Sequence, residues 1–421
     1  MDHFEPNHGA LWCEQVPLTE IAAKAGTPTY VYSTATMVRH AEVMKSAVAS
    51  CGTGQPLVAY AVKANPNAAV LATLARSGLG ADVVSVGEYD KARAAGMRAE
   101  EIVFSGVGKT EAEMSAVMKN GLLQFNVESI EEARTLSAVA QSIGRVAPIG
   151  FRINPDVAAG THAKITTGTA DNKFGIAAED ALAAYAEASA LPGLRITGMT
   201  VHIGSQLTSL KPLEAAFTRL GHLLQDVRAA GHTIDLVDLG GGLGVAYDSG
   251  VPRPPSPQEY GDMVRRVTSG WDARLIFEPG RLIVANAGVL LARVIRIKPG
   301  AQHPWVIVDA AMNDLMRPAL YDAYHRIEAV RPNGRRMTAN VVGPVCESGD
   351  TFALARDTDE LMSGDLVIFR SAGAYGAAMS SGYNSRLLTP EILVDGDKWA
   401  VVRRRIDIDA LAGCRRPDWL P

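Results

Sequence analysis

The chain has 421 residues, of which 47% are hydrophobic and 20% charged, and its formal net charge is −4. That length exceeds one small core and calls for two domains, and the lack of a basic excess argues against nucleic acid as a partner. The acidic, polar opening Met1-Asp2-His3-Phe4-Glu5-Pro6 has no signal-peptide blocks, and the longest apolar stretch, Leu282 to Ile295, is broken by Asn286 and Arg293, so no membrane span or export is expected. Cys13, Cys51, Cys346 and Cys414 are scattered, with neither a CxxC pair nor metal-ligand spacing. No metal is expected, and a reducing cytoplasm fits best.

Thr29-Tyr30-Val31-Tyr32 is a short strand signal that suits either domain. From residue 57 onward, nearly continuous apolar runs predict strands at 57–62, 81–84, 101–105, 122–127, 147–153, 196–203, 234–239 and 274–278. Runs of that kind suit parallel strands covered on both faces. Helical periodicity lies between them, at 87–95, 129–142, 179–190, 210–230 and 257–269. Eight strands alternating with helices count out a (β/α)8 TIM-type barrel over residues 30–280. After Arg281 the texture changes to β-like runs at 282–297, 304–309, 339–343, 365–370 and 399–407. They predict a second, mainly β domain formed by residues 1–29 and 281–421. Pro252-Arg253-Pro254-Pro255-Ser256-Pro257 reads as a stiff loop before a helix, and Arg403-Arg404-Arg405 as a solvated strand or edge.

The chemistry-bearing residues fall at or just past predicted strand ends, the rim where a barrel gathers its catalytic groups. Lys63, in Tyr60-Ala61-Val62-Lys63-Ala64-Asn65, follows the first strand. Desolvation there would lower the amine's pKa and free it to condense with a carbonyl compound; otherwise it is a loop lysine. His202, between Val201 and Ile203, is placed to face the barrel mouth and stack on a ring, or to serve a structural role. Gly240-Gly241-Gly242 after the seventh strand either lets backbone N–H groups approach a phosphate, with Ser205 adding a hydroxyl, or is a tight turn. The spacing of this glycine run matches neither GxGxxG nor the GK[ST] loop, which disfavours a dinucleotide or NTP site. Glu278-Pro279-Gly280-Arg281 puts a carboxylate at the last strand end, where it would keep a pyridine nitrogen protonated. Arg317 and Tyr321, four apart, form a carboxylate-binding pair if they share a helical face. Cys346-Glu347, inside Gly343-Pro344 … Gly349-Asp350, offers a thiol proton donor and an acceptor for an ammonium group, or an inert turn.

Taken in order from about Thr29 to Leu388, Tyr-Ala-Val-Lys-Ala-Asn, His-Ile-Gly-Ser-Gln, the triglycine, Glu-Pro-Gly-Arg and Gly-Pro-Val-Cys-Glu-Ser-Gly-Asp closely resemble the diaminopimelate decarboxylase family. That family belongs to the alanine-racemase-like, fold-type III enzymes that use pyridoxal 5'-phosphate. The resemblance implies that Lys63 binds the cofactor covalently and His202 stacks on its ring. Ser205, Gly240, Gly241, Gly242 and the Glu278, Pro279, Gly280 and Arg281 segment would surround the phosphate, with the Glu278 carboxylate on the ring nitrogen. Arg281, Arg317 and Tyr321 would hold the unreactive carboxylate end of the substrate, Glu347 its distal ammonium, and Tyr375 would touch cofactor and substrate. Cys346 would reprotonate Cα, and Cys346 and Glu347 would reach the partner's barrel in a head-to-tail homodimer. The implied reaction is decarboxylation of meso-2,6-diaminopimelate at its D-centre to L-lysine and CO2, in lysine biosynthesis. Ornithine and arginine decarboxylases of this fold typically carry Asp where this chain has Glu347. A decarboxylase of another basic amino acid or of carboxynorspermidine is the alternative, and a cofactor-buffering barrel a third. Asp82, Arg152, Asn154, Lys173 and Asn384 lie in family-like segments without a separable role.

Overall fold

The structure is a computed structural model that describes residues 2–158, 172–247, 253–413 and 415–420; Cys414 lies outside them. The chain divides into two compact units, one of residues 38–246 and 252–283, the other of residues 1–37, 247–251 and 284–421.

The first unit is the expected barrel. Its parallel strands are β1 (Leu57–Ala61), β2 (Gly80–Val83), β3 (Ile102–Phe104), β4 (Gln124–Val127), β5 (Ala147–Asn154), β6 (Leu194–Val201), β7 (Leu236–Asp238) and β8 (Arg274–Phe277). They pair in chain order, and β8 closes on β1 through Ile276↔Leu57 and Phe277↔Val58. Every residue of β1 to β5 is buried, which is why these strands read as continuous apolar runs rather than alternating ones.

The helices Val86–Ala94, Ile130–Ser142, Ala181–Ala190, Lys211–Ala229 and Pro257–Val267 sit where periodicity placed them. Ala68–Arg76 and Glu111–Asn120, unassigned from sequence, fill the β1–β2 and β3–β4 crossovers. Local chemistry sets their starts. The hydroxyls of Ser85, Thr110, Ser129 and Ser256 each accept from a first-turn N–H, and Thr110/Glu113 and Ser256/Glu259 complete reciprocal capping boxes. Pro257 then opens its helix at a position that needs no N–H donor.

The barrel interior is polar at one level. The Gln124 side chain donates to Asn126 Oδ1 at 2.9 Å and accepts from Thr197 Oγ1 at 2.8 Å. Gly150 and Gly198 make room for it, since a Cβ on either would lie 2.5 Å from the Gln124 amide. Each polar atom so buried must be bonded or it costs the fold heavily.

In the second unit, Thr29–Ser33 enters a β-sheet, pairing antiparallel with Gly288–Lys298 and parallel with Glu391–Asp395. The run at 282–297 divides, because Arg281–Val284 forms a helical turn before the strand starts at Gly288. Trp305–Val308, Arg336–Val342, Thr351–Asp359, Leu366–Phe369 and Lys398–Arg403 extend the sheet, and Arg403 lies on its edge strand, paired with Glu391 at 2.9 Å. Tyr30 and Tyr32 are fully buried, and their hydroxyls donate to Asp314 O and to Glu391 Oε2 at 2.6 and 2.5 Å.

Gly261 lies where its helix crosses the helix carrying Ala47, and a Cβ there would come within 2.0 Å of the Ala47 carbonyl oxygen. Because the obstacle is backbone, Gly261→Ala should destabilise the barrel by about 1–3 kcal/mol, read as a lower thermal midpoint. An unchanged midpoint would show that the two helices separate freely.

Candidate active site

Lys63 sits in the 3-10 turn Val62–Ala64 that follows β1 directly. Its Nζ is 3.1 Å from Oδ2 of Asp82, which projects from the neighbouring β2. Asp82 is 1% exposed and its second oxygen, Oδ1, is buried without a hydrogen-bond partner. The strong desolvation expected of the lysine is not found in this chain, where its side chain is 40% exposed. The barrel mouth leaves the amine accessible, and Asp82 holds it in place.

Across the mouth, Gly240–Gly242 follow β7. Gly240 and Gly242 have φ of 63° and 113°, conformations that L side chains rarely adopt. A Cβ on Gly241 would lie 2.2 Å from Glu278 O, and one on Gly242 2.6 Å from Gly204 O. The tight turn is thus built from glycine because the neighbouring strand ends leave no room for a side chain. The Gly240 N–H donates to Asp238 Oδ1 at 2.9 Å and the Gly241 N–H to His202 Nδ1 at 3.1 Å. These two N–H groups brace the loop.

His202 therefore accepts at Nδ1. Burial first, then the nearby charges of Arg152 and Lys63, hold its pKa well below the usual histidine range, so the ring is neutral at physiological pH. Arg281 directs its guanidinium at Ser205 Oγ, with Nη2 at 3.0 Å and Nε at 3.3 Å, which concentrates positive charge beside the glycine loop.

Glu278 follows β8 and is 7% exposed. Burial, then the charges of Asp238 and Asp82, push its pKa well above the usual carboxyl range. Asp238, at the end of β7, is pushed up to about 6, again chiefly by burial. Asn126 Nδ2 lies 3.0 Å from Asp238 Oδ2 and 3.4 Å from Glu278 Oε1, and Ser105 Oγ lies 3.4 Å from the same Glu278 oxygen. Asp238, Asn126 and Ser105 were not picked out as site residues from sequence. The available signal was a lone polar residue at the end of a buried strand, as in Leu236-Val237-Asp238.

The remaining sequence candidates belong to the β unit. Arg317 and Tyr321 do share a helix, Arg317–Tyr321. Arg317 is buried, with its guanidinium carbon 4.5 Å from the Tyr247 ring centre and Nη1 2.9 Å from His325 Nε2. His325 Nδ1 is 2.8 Å from Arg370 O, which requires the proton on Nδ1 and leaves Nε2 to accept from Arg317. Tyr247 and His325, absent from the sequence reading, thus aim the Arg317 fork.

Cys346 and Glu347 are exposed on a turn pinned by Asp350, whose carboxylate accepts from Met312 N and Val345 N, both at 2.7 Å. Tyr383 donates to Glu347 Oε2 at 2.9 Å. Tyr375 has φ of 55° in the Gly373–Gly376 turn. Among the residues of open role, Arg152 pairs with buried Glu128 at 2.9 Å and lies over the Phe174 ring, and Asn154 Nδ2 donates to Phe174 O at 3.4 Å. Lys173 lies over the same ring, and Asn384 takes φ of 57° beside Tyr383.

Residues 34–285 match the family described as pyridoxal-dependent decarboxylase, pyridoxal binding domain. A diaminopimelate decarboxylase of Zymomonas mobilis is 52% identical over 418 residues, covering 99% of each chain. The chain belongs to the diaminopimelate decarboxylase family. The Vibrio cholerae diaminopimelate decarboxylase is 48% identical over 98% of each chain. The diaminopimelate decarboxylase of M. jannaschii, solved in co-complex with L-lysine, is 34% identical with a TM-score of 0.95, covering 100% of this chain and 99% of that one.

Diaminopimelate decarboxylases are pyridoxal-phosphate lyases, and the barrel mouth fits that cofactor. Lys63 is accessible for covalent attachment, Asp82 Oδ1 lacks a partner, and the loop after the seventh strand presents three glycines in a row without side chains. A neutral His202 suits packing against a pyridine ring, since a cation there would repel a protonated one. The His202 imidazole carbon signal should stay fixed in a 13C NMR titration of the cofactor-free protein through the ordinary histidine range. Because the shift is downward, protonation belongs below that range, and a midpoint near that of free histidine would contradict this placement.

Proposed function

We infer that the chain is a carboxy-lyase that removes CO2 from the D-centre of meso-2,6-diaminopimelate and leaves L-lysine, the closing step of lysine biosynthesis. The observation that carries the reading is the set of residues at the barrel's strand ends, Lys63 on Asp82, neutral His202 bonded to the glycine loop, and the buried Glu278. When bound, pyridoxal phosphate supplies an electron-poor ring that accepts the electron pair left by departing CO2. Lys63 would hold the group covalently, Ser205, the glycine loop and the backbone of Glu278 to Arg281 would surround its phosphate, and the Arg281 guanidinium, now on Ser205 Oγ at 3.0 Å, would join Arg317 on the substrate's unreactive carboxylate. His202 packs on the ring face, and Glu278 meets the ring nitrogen.

The substrate's unreactive end carries both a carboxylate and an ammonium, so it needs both an arginine and an acid. Arg317, already oriented by His325 and Tyr247, takes the carboxylate, with Tyr321 on the same helix adding a phenol. Glu347 takes the ammonium, and Tyr383 fixes one of its oxygens. Cys346 Sγ returns a proton to Cα, and Tyr375 lines the cofactor and substrate. Two copies of the chain form a cytoplasmic homodimer in which Cys346 and Glu347 serve the partner's barrel.

The test is an absorbance spectrum of the purified protein before and after borohydride, followed by CO2 release from meso-diaminopimelate, ornithine and arginine in parallel. A visible band lost on reduction, with the label on Lys63 and CO2 from diaminopimelate alone, is expected. CO2 from ornithine or arginine would move the substrate to the alternative reading, and no band with added pyridoxal phosphate would overturn the proposal.

Cys346→Ala should keep the visible band while kcat falls about 10²–10⁴-fold, the range for loss of a positioned acid. Arg317→Ala should raise KM for diaminopimelate about 10–100-fold, as expected for a lost charge-assisted hydrogen bond worth about 1.5–3 kcal/mol. Equal KM values would remove Arg317 from the substrate. Mixing inactive Lys63→Ala and Cys346→Ala chains should restore activity, up to about a quarter of normal if subunits reassort at random. No recovery after exchange would place each active site within one subunit.

A further inference from the structure

Asp238 has no part in the proposed reaction, yet it is fully buried and its carboxylate lies against Glu278. The two side chains leave adjacent strand ends, with Asp238 paired to Ile276 two residues before Glu278. They are joined by Asn126, whose single amide nitrogen reaches Asp238 at 3.0 Å, Ser105 Oγ at 3.1 Å and Glu278 at 3.4 Å. The carboxylate of Asp238 can only accept, so it orients that amide nitrogen, while Asn126 Oδ1 accepts from Gln124 Nε2 at 2.9 Å. The relay fixes a donor toward the two acids.

We propose that Asp238 and Glu278 share a single proton before cofactor binds, carried on Glu278, and that Asp238 is thereby a positioning residue that sets the charge Glu278 brings to the ring nitrogen. The inference rests on the reading of Glu278 as that nitrogen's partner. The asymmetry lies in the donors. Asp238 receives the Gly240 N–H at 2.9 Å and the Asn126 amide at 3.0 Å, a setting for a carboxylate. Among the described residues, the donors that face Glu278 are Asn126 and Ser105, each at 3.4 Å, and its remaining side-chain partner is Asp238 itself. A third acid, Asp82, faces the pair with Lys63 bound to it at 3.1 Å. Two adjacent buried carboxylates beside a third are strongly disfavoured, and one shared proton removes the repulsion. The upward displacement of both groups, led by burial, agrees.

On cofactor binding Glu278 gives this proton to the ring nitrogen. The Glu278 O–H bond breaks, an N–H bond forms, and the new carboxylate faces the ring cation. The total charge of the site is unchanged and no proton is drawn from solvent. Asp238 stays ionised throughout on the Gly240 N–H and the Asn126 amide.

The full-length chain freed of cofactor supplies the first measurement. Its infrared spectrum at neutral pH should contain a protonated-carboxyl band that Glu278→Gln removes and whose midpoint falls by about one pH unit or more in Asp238→Asn. Absence of the band in the unmutated protein overturns the proposal without any variant. The second measurement binds pyridoxine 5'-phosphate, which has the ring and phosphate but no aldehyde, by calorimetry in two buffers of different ionisation enthalpy. Asp238→Asn should take up about one proton more per site than the unmutated chain, because its Glu278 starts ionised. Equal uptake overturns proton delivery by the pair. Failure of the probe to bind the unmutated chain would sink the cofactor reading instead, and the carboxyl band would still decide whether the proton is shared.

Discussion

Three buried carboxyl groups, Asp82, Asp238 and Glu278, meet at the mouth of one barrel, and relieving that concentration of like charge is the constraint on which the rest of the site depends. Uncompensated buried charge is among the most costly features a fold can hold. Here each acid is relieved differently. Asp82 has Lys63, Asp238 has the Gly240 N–H and the Asn126 amide, and Glu278 is held toward its neutral form. The requirements spread inward. Asn126 is oriented by Gln124, Gln124 is anchored by Thr197, and its side chain fits only because positions 150 and 198 are glycine. A polar layer deep in the barrel is thus tied to the charge state of a residue at its rim.

The barrel was legible because burial on both faces writes itself into composition. β1 is an uninterrupted apolar run and β5 and β8 are nearly so, and their ends mark the rim. Where the reading overran, as at 101–105 and 234–239 against Ile102–Phe104 and Leu236–Asp238, the flanking Ile234 and Leu239 are buried without belonging to the strand. Hydrophobicity reports burial, and hydrogen-bond pairing ends sooner. The second unit was less legible for the converse reason. Thr351–Asp359 contains exposed and charged positions, so it carries no apolar run, although it pairs with Arg336–Val342 along most of its length.

The site divides along the same line. Lys63, His202, Gly240–Gly242 and Glu278 stood out because a lysine, a histidine, a triglycine and a Glu-Pro-Gly-Arg turn at strand ends are unusual, and the barrel gathers strand ends in space. Their partners did not stand out. Asn126 is one of two polar residues within Gln124–Val127, and nothing in its neighbourhood along the chain discloses Asp238, which is 112 residues away. His325 is close to Arg317 in sequence, but its role follows from the tautomer that Arg370 O imposes. The exposure of Lys63 was misjudged because the sequence gives the apolar strand that leads to the amine and says nothing of the open space beyond it.

On the proposed reading, the two units also divide the chemistry. The barrel's charges answer to the ring and are coupled to one another through Asn126, so a change in any of them alters the charge balance of all. Arg317 and Glu347 answer to the far end of the substrate, and each is steadied within the β unit, by His325 with Tyr247 and by Tyr383. Neither of these supports involves the carboxyl cluster. Substrate choice is therefore free to change by exchanging an arginine or an acid on the β unit while the ring's electronic environment stays fixed. The converse is not available, since the buried acids of the barrel cannot be altered one at a time without leaving a neighbour unpaired.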